Sequence, residues 1–325
     1  MTKPPQNNRW ARWCRVSAGL GALFYLALLF FPLPIDIVTA SIHRLLMVAP
    51  LIVVPMALSL VVEDEPGVLI KTIVGLQLPF AVGSAASLYV PAGALGVGLA
   101  LPWAALTALV SVYGLWRARQ RGLDLSRPEE LCIDTGLLYL VIGGAWWIIA
   151  RSGVHIPIFE PLIIELTPPH FHFAGFAAPV LAGLTGRLIP TEATFSRRAF
   201  GVAAFSVIAG PPLIGLGITI SPLVEVICSL VLATGLLVLA VLMGLVVAPR
   251  LKSPFAWALM TISALSLVMT MVFACLYAIG EYRHEAWLHI PTMAQTHGLA
   301  NVFGFSLCGL AAAMISGSRP RQDPS

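Results

Sequence analysis

Charge is what this sequence has least of: only 10% of its residues are Asp, Glu, Lys or Arg, against 58% hydrophobic. Soluble domains carry about 25% charged residues, so a mean hydropathy of +0.90 excludes a water-soluble fold. Cysteine is sparse and unpatterned. Cys14, Cys132, Cys228, Cys275 and Cys308 form no CxxC pair, which argues against a zinc knuckle or a disulfide framework and leaves buried, inert thiols. Short alternating segments, the mark of a membrane barrel, are missing too. A net charge of +4 is too small a basic excess to point to nucleic acid.

What fills the chain is long apolar runs. A bilayer core needs roughly 20 apolar residues per helix. Breaking the text at charges and at Pro/Gly clusters predicts ten spans: 16–34, 38–62, 68–90, 93–116, 131–151, 169–189, 199–220, 223–248, 255–280 and 295–316. The expected fold class is therefore all-α, a polytopic transmembrane helix bundle. Its expected organisation is a basic N-terminal tail (1–15), one bundle (16–316) and a C-terminal tail (317–325), both tails cytoplasmic. The first run also reads as a signal peptide with a weak cleavage site at Val38-Thr39-Ala40; an uncleaved first span is the reading preferred.

Lys and Arg concentrate in cytoplasmic loops. With the N-terminus inside, 16 of the 19 basic residues fall on the inner side, and only Arg44, Arg151 and Arg283 fall outside. The same topology puts all seven histidines (43, 155, 170, 172, 284, 289, 297) in the outer half. Asp36, Glu160, Glu165, Glu225, Glu281 and Glu285 join them. A faint repeat reinforces the pattern: Trp147, an HIP turn and HFHFAGF are echoed by WLHIP and HGLANVFGF later in the chain.

Ionisable groups at membrane depth normally face a protein interior or a water-filled cavity. Pro168 and Pro169 predict a helix starting near His170. His170 and His172 then share a face if that segment is extended, and diverge by about 200° if it is helical. His297 and Asn301 are i, i+4 and lie on one helix face. Small residues at 174, 178, 182 and 186 on the sixth span and at 300, 304, 308 and 312 on the tenth would let these two spans pack closely. On the second span His43 precedes Met47 by four residues, a spacing fit for copper or haem iron. Lys71, Gln77 and Asp134 read as snorkelling or capping groups.

HFHFAGF and HGLANVFGF resemble motifs of the YndJ-like family of bacterial membrane proteins, on His170, His172, Gly175 and Phe176, and on His297, Gly298, Asn301, Gly304 and Phe305. The resemblance covers the C-terminal half, implies a multi-pass protein of the bacterial cell membrane, and names no reaction. HFHF is also similar to the His-x-His segment of haem-copper oxidases, although the paired histidines of their copper site are missing.

The leading expectation is a histidine site in the outer half of the bundle that binds Zn, Cu or Fe, or haem, for redox or Lewis-acid chemistry. Its metal ligands would be His170, His172 and His297, converging in one cavity, with His43 and Asn301 as auxiliary cofactor-binding residues. A metal-free enzyme acting on a lipid or isoprenoid substrate is the alternative, with Glu165, Glu225 and Glu281 exchanging protons. A proton-linked transporter is a third. Membrane lipid is the expected partner, with a lipid or small-molecule ligand.

Overall fold

The computed structural model describes residues 8–63, 65–122 and 124–317. The protein is 84% helical, and no strand occurs among the described residues. Lys3, Asp64, Arg319, Arg321 and the tail beyond residue 317 lie outside the described residues.

Among the described residues ten continuous helical runs follow the ten expected spans in order: α1 (Arg9–Leu28), α2 (Ile37–Val61), α3 (Val68–Ser87), α4 (Ala94–Gln120), α5 (Pro128–Ser152), α6 (161–188), α7 (Thr194–Ile220), α8 (Pro222–Arg250), α9 (Pro254–Arg283) and α10 (Ile290–Ser316). Eight are long and apolar enough to cross a membrane. The other two are rich in polar groups: α1 opens with Arg9, Arg12 and Arg15, and α6 carries Glu165, two histidines and Arg187. Side-chain caps set several starts. Asn8 accepts from the amides of Trp10 and Ala11, and Asp36 from those of Val38 and Thr39.

One boundary differs instructively from the expectation. Helix α6 does not begin at the paired prolines; it starts at Pro161 and runs through Pro168 and Pro169. Two missing N–H groups break the regular ladder there. The chain answers with a wide π-helical stretch, Phe171–Ala177, and returns to α geometry at Ala178. The second histidine motif does the same, with π-helix at Ala294–Gly298 and Ala300–Leu307.

The chain divides into two compact units. Unit 1 comprises Met1–Trp116 and Leu137–His172; unit 2 comprises Arg117–Gly136 and Phe173–Ser325. Helices α4, α5 and α6 run from one unit into the other. Within unit 1, α1 packs on the second half of α2 and on α3, with Gly21 against the backbone of Leu51, and the start of α2 packs on the start of α6. Within unit 2, α7 to α10 pack in sequence, and the second half of α6 lies on α7. Helix α10 does reach α6, where Gly309 meets Leu181. Two of the small residues expected there serve other contacts: Gly304 abuts Ser266 of α9, and Gly186 abuts Phe200 of α7.

Candidate functional site

Because α6 is helical at HFHF, the two imidazoles diverge. Each reaches back four residues to a carbonyl, His170 Nδ1 to Leu166 and His172 Nδ1 to Pro168, both at 2.8 Å. His170 stays exposed, whereas His172 is 0% exposed. Trp103 stacks on the His172 ring at 6.1 Å and Trp147 meets it edge-on at 5.7 Å. A side chain at Gly143 would strike the imidazole, so only glycine fits at that crossing. Trp103 Nε1 donates to His172 Nε2 at 3.1 Å. An indole only donates, so Nε2 must accept and Nδ1 must carry the proton given to Pro168. His172 is a neutral imidazole with both nitrogens in use.

His297 is similarly committed in unit 2. Its Nδ1 donates to the Thr270 carbonyl at 2.9 Å, and Asn301 Nδ2 lies 2.8 Å from Nε2, as a donor to it. The expected shared face of His297 and Asn301 is thus used for a hydrogen bond between them. Among the described residues no group of three or more His, Cys, Asp or Glu side chains could hold a metal ion. The donor nitrogens of His172 and His297 are spent on protein partners.

The expected acids separate into two places. In unit 2, Glu225 and Glu281 lie within electrostatic range of one another and of the Tyr277 phenol. In unit 1, Glu165 Oε2 is 2.8 Å from His43 Nε2, a contact between residues 122 apart in sequence. His43 is 1% exposed and Glu165 24%. The His43 Nδ1 is buried with no hydrogen-bond partner among the described residues.

Around this pair unit 1 gathers polar groups from α1, α2, α5 and α6 and from the turn that follows α3. Helices α1, α3 and α5 end here, and α2, α4 and α6 begin here, at the end expected to face outward. The Arg151 guanidinium, 4% exposed, lies within electrostatic range of Glu165 and donates through Nη2 to the Val90 carbonyl at 2.6 Å. Gly96 lies flat beneath it: an added Cβ would come within 3.3 Å of Nη2. Gly93, at φ +138°, donates its N–H to the Arg151 carbonyl at 2.8 Å and holds the end of α5 in place. Arg44 follows His43 directly, and the phenols of Tyr25 and Tyr89 lie within electrostatic range of it. Tyr89 donates to the Leu28 carbonyl at 2.9 Å. Arg44 Nε and Arg151 Nε are both buried without a hydrogen-bond partner.

Sequence reasoning noted Arg44 and Arg151 only as exceptions to the inward charge bias. That was the available signal: a cation on the wrong side of such a bias needs a local reason. Asp134, read as a capping group, instead binds Arg117 in a buried ionic network with Glu130.

No solved structure matches this chain. The uncharacterized membrane protein YndJ of Bacillus subtilis (strain 168) is 32% identical over 226 residues, which cover 69% of this chain and 39% of that relative. The chain therefore matches about two-fifths of that relative's length. The model of the YndJ-like protein family matches residues 44–305, from Arg44 beside the buried pair to Phe305 in the second histidine motif. With most of its length inside that match, this multi-pass membrane protein belongs to the YndJ-like family.

Proposed function

We propose that unit 1 carries a metal-free acid–base site acting on a membrane amphiphile, with His43 as the proton acceptor and Glu165 as its partner. The observation that supports this most is the buried His43–Glu165 contact at 2.8 Å beside an orphaned Nδ1. With Glu165 ionised, Nε2 carries the proton that it donates to the carboxylate, and Nδ1 presents a lone pair. A proton leaving a bound molecule for Nδ1 makes an imidazolium, which the carboxylate stabilises; its return completes the cycle. Partial exposure of Glu165 gives that proton an exchange route. The apolar surroundings suit an acyl or isoprenoid tail and raise the electrostatic worth of the pair. A metal centre on His170, His172 and His297 has less support, since two of the three imidazoles are occupied by protein groups.

The test is to incubate the purified protein, in native lipid and after chelation, with an extract of bacterial membrane lipids, and to follow conversion by mass spectrometry. Conversion that survives chelation and falls by about 100-fold or more in Glu165→Gln is the expected result. Stoichiometric transition metal that is lost in His43→Ala, or conversion unchanged in Glu165→Gln, would overturn the reading.

A further inference from the structure

The ring of groups around His43 has an electrostatic imbalance that the acid–base reading does not use. It contains two guanidiniums, Arg44 and Arg151, and one carboxylate, Glu165, which is already hydrogen-bonded to His43. Among the described residues neither arginine has a carboxylate within ion-pair distance. Arg151 has only a neutral carbonyl as partner, and each of the two leaves a buried Nε–H unused. Taking a guanidinium out of water costs several kcal/mol unless an opposite charge and hydrogen-bond acceptors replace the water. That cost falls chiefly on Arg151, since Arg44 is half-buried. The backbone nevertheless is shaped to keep one there: Gly96 leaves room for the Arg151 head group, and the Gly93 amide anchors the residue's own carbonyl.

A guanidinium with free N–H groups is a fork for a planar or tetrahedral oxyanion. Tyr25, near Arg44, adds a phenol on the α1 side, while the Tyr89 hydroxyl is already given to the Leu28 carbonyl. We infer that this end of unit 1 binds the phosphate-class anion of a membrane amphiphile through Arg44 and Arg151, so that the headgroup lies beside His43 while its tail stays among the helices. The inference rests on the acid–base reading for what happens to that molecule, but its binding is measurable without turnover.

The experiment is a titration of the purified full chain in neutral detergent with three probes: dihexanoyl phosphatidic acid, dihexanoyl phosphatidylcholine and inorganic phosphate. The readout is the rise in unfolding temperature that ligand binding to the folded state produces. The expected result is saturable stabilisation by the phosphatidic acid and none by the zwitterionic phosphatidylcholine. Arg151→Gln and Arg44→Gln should each weaken the apparent affinity about tenfold, as removal of a charge-assisted hydrogen bond does. Stabilisation by inorganic phosphate at the same concentrations would support the anion site with free phosphate as its source; stabilisation by the lipid alone supports the headgroup. Equal responses to the two lipids, or unchanged titrations in the arginine variants, would overturn the inference. Should Arg151→Gln fail to fold, Arg44→Gln and the wild-type lipid comparison decide it. Glu165→Gln separates the two proposals: it removes a negative charge and the proton partner, so phosphatidic acid should still bind while lipid conversion stops.

Discussion

Two clusters of arginine and acid sit in this protein, one in each unit, and they are built on opposite terms. In unit 2, Arg117, Arg121, Arg187 and Arg197 face Glu129, Glu130 and Asp134. Every one of these arginines has a carboxylate within ion-pair distance. In unit 1, Arg44 and Arg151 have none among the described residues, and the nearby carboxylate is shared with a histidine. Net charge does not distinguish the two, since four cations against three anions is also an excess. Pairing does. A network in which each cation finds its carboxylate holds helices together, whereas Arg44 and Arg151, with no carboxylate at ion-pair distance among the described residues, are what the anion inferred above would complete.

The comparison is broken most forcefully at Glu130. Its two oxygens take Arg187 at 2.7 and 2.8 Å and Arg117 at 3.0 Å, and among the described residues Glu130 is the one carboxylate paired with Arg187. Glu130→Ala should therefore leave a buried guanidinium unpaired and destabilise the protein by about 3–5 kcal/mol. Thermal unfolding in detergent measures it. The matched change in unit 1, Arg44→Gln, breaks no ion pair and should shift stability by less than about 1 kcal/mol. If the two variants destabilise equally, the distinction between a paired and a presented cluster fails.

The helices were legible because the bilayer dictates their length, and ten apolar runs became ten helical runs in the expected order. The start of α6 was misjudged because Pro168-Pro169 reads locally as a beginning, while Pro161 and the π stretch that absorbs the broken ladder are visible only in three dimensions. The site was legible by residue type and not by partnership. His43 and Glu165 were both singled out, in different roles, and nothing periodic links positions 122 residues apart. The fate of His172 was equally hidden. Whether an imidazole between apolar runs is a ligand or a neutral strut depends on an indole 69 residues away.

That indole supplies a prediction of intermediate size. Trp103→Phe keeps the aromatic stack on His172 but removes the N–H that fixes its tautomer, leaving a buried acceptor unsatisfied. A loss of about 1–3 kcal/mol is expected, read from the unfolding midpoint. Trp103→His, which restores a donor at the cost of volume, should recover part of it. No loss in Trp103→Phe would mean that His172 can turn to another donor, and would reopen it as a group available for chemistry.

The smallest expected effect lies at the turn between α1 and α2, where the site's second helix begins. Asp36 caps α2 through the amides of Val38 and Thr39, and hydrogen bonding to Thr39 holds its carboxyl below its ordinary value of 3.8. A carboxyl whose folded value is depressed contributes stability that is present above the unfolded value and fades as pH falls through the folded one. The contribution should thus be complete at neutral pH and disappear only in acid below about pH 4. Its exposure to water keeps it small, about 0.5 kcal/mol, at the low end for a helix cap. Asp36→Ala should lower the unfolding midpoint slightly at pH 7 and progressively less as pH falls below about 4, whereas Asp36→Asn, which can still cap without charge, should lose less and show no pH dependence of its own. Because His43 sits two turns into α2, a fraying cap would loosen its contact with Glu165 before the helix itself melted. Lipid conversion in Asp36→Ala should therefore fall more than stability does, and equal loss of both would place the dyad's rigidity in the packing of α2 on α6 rather than in the cap.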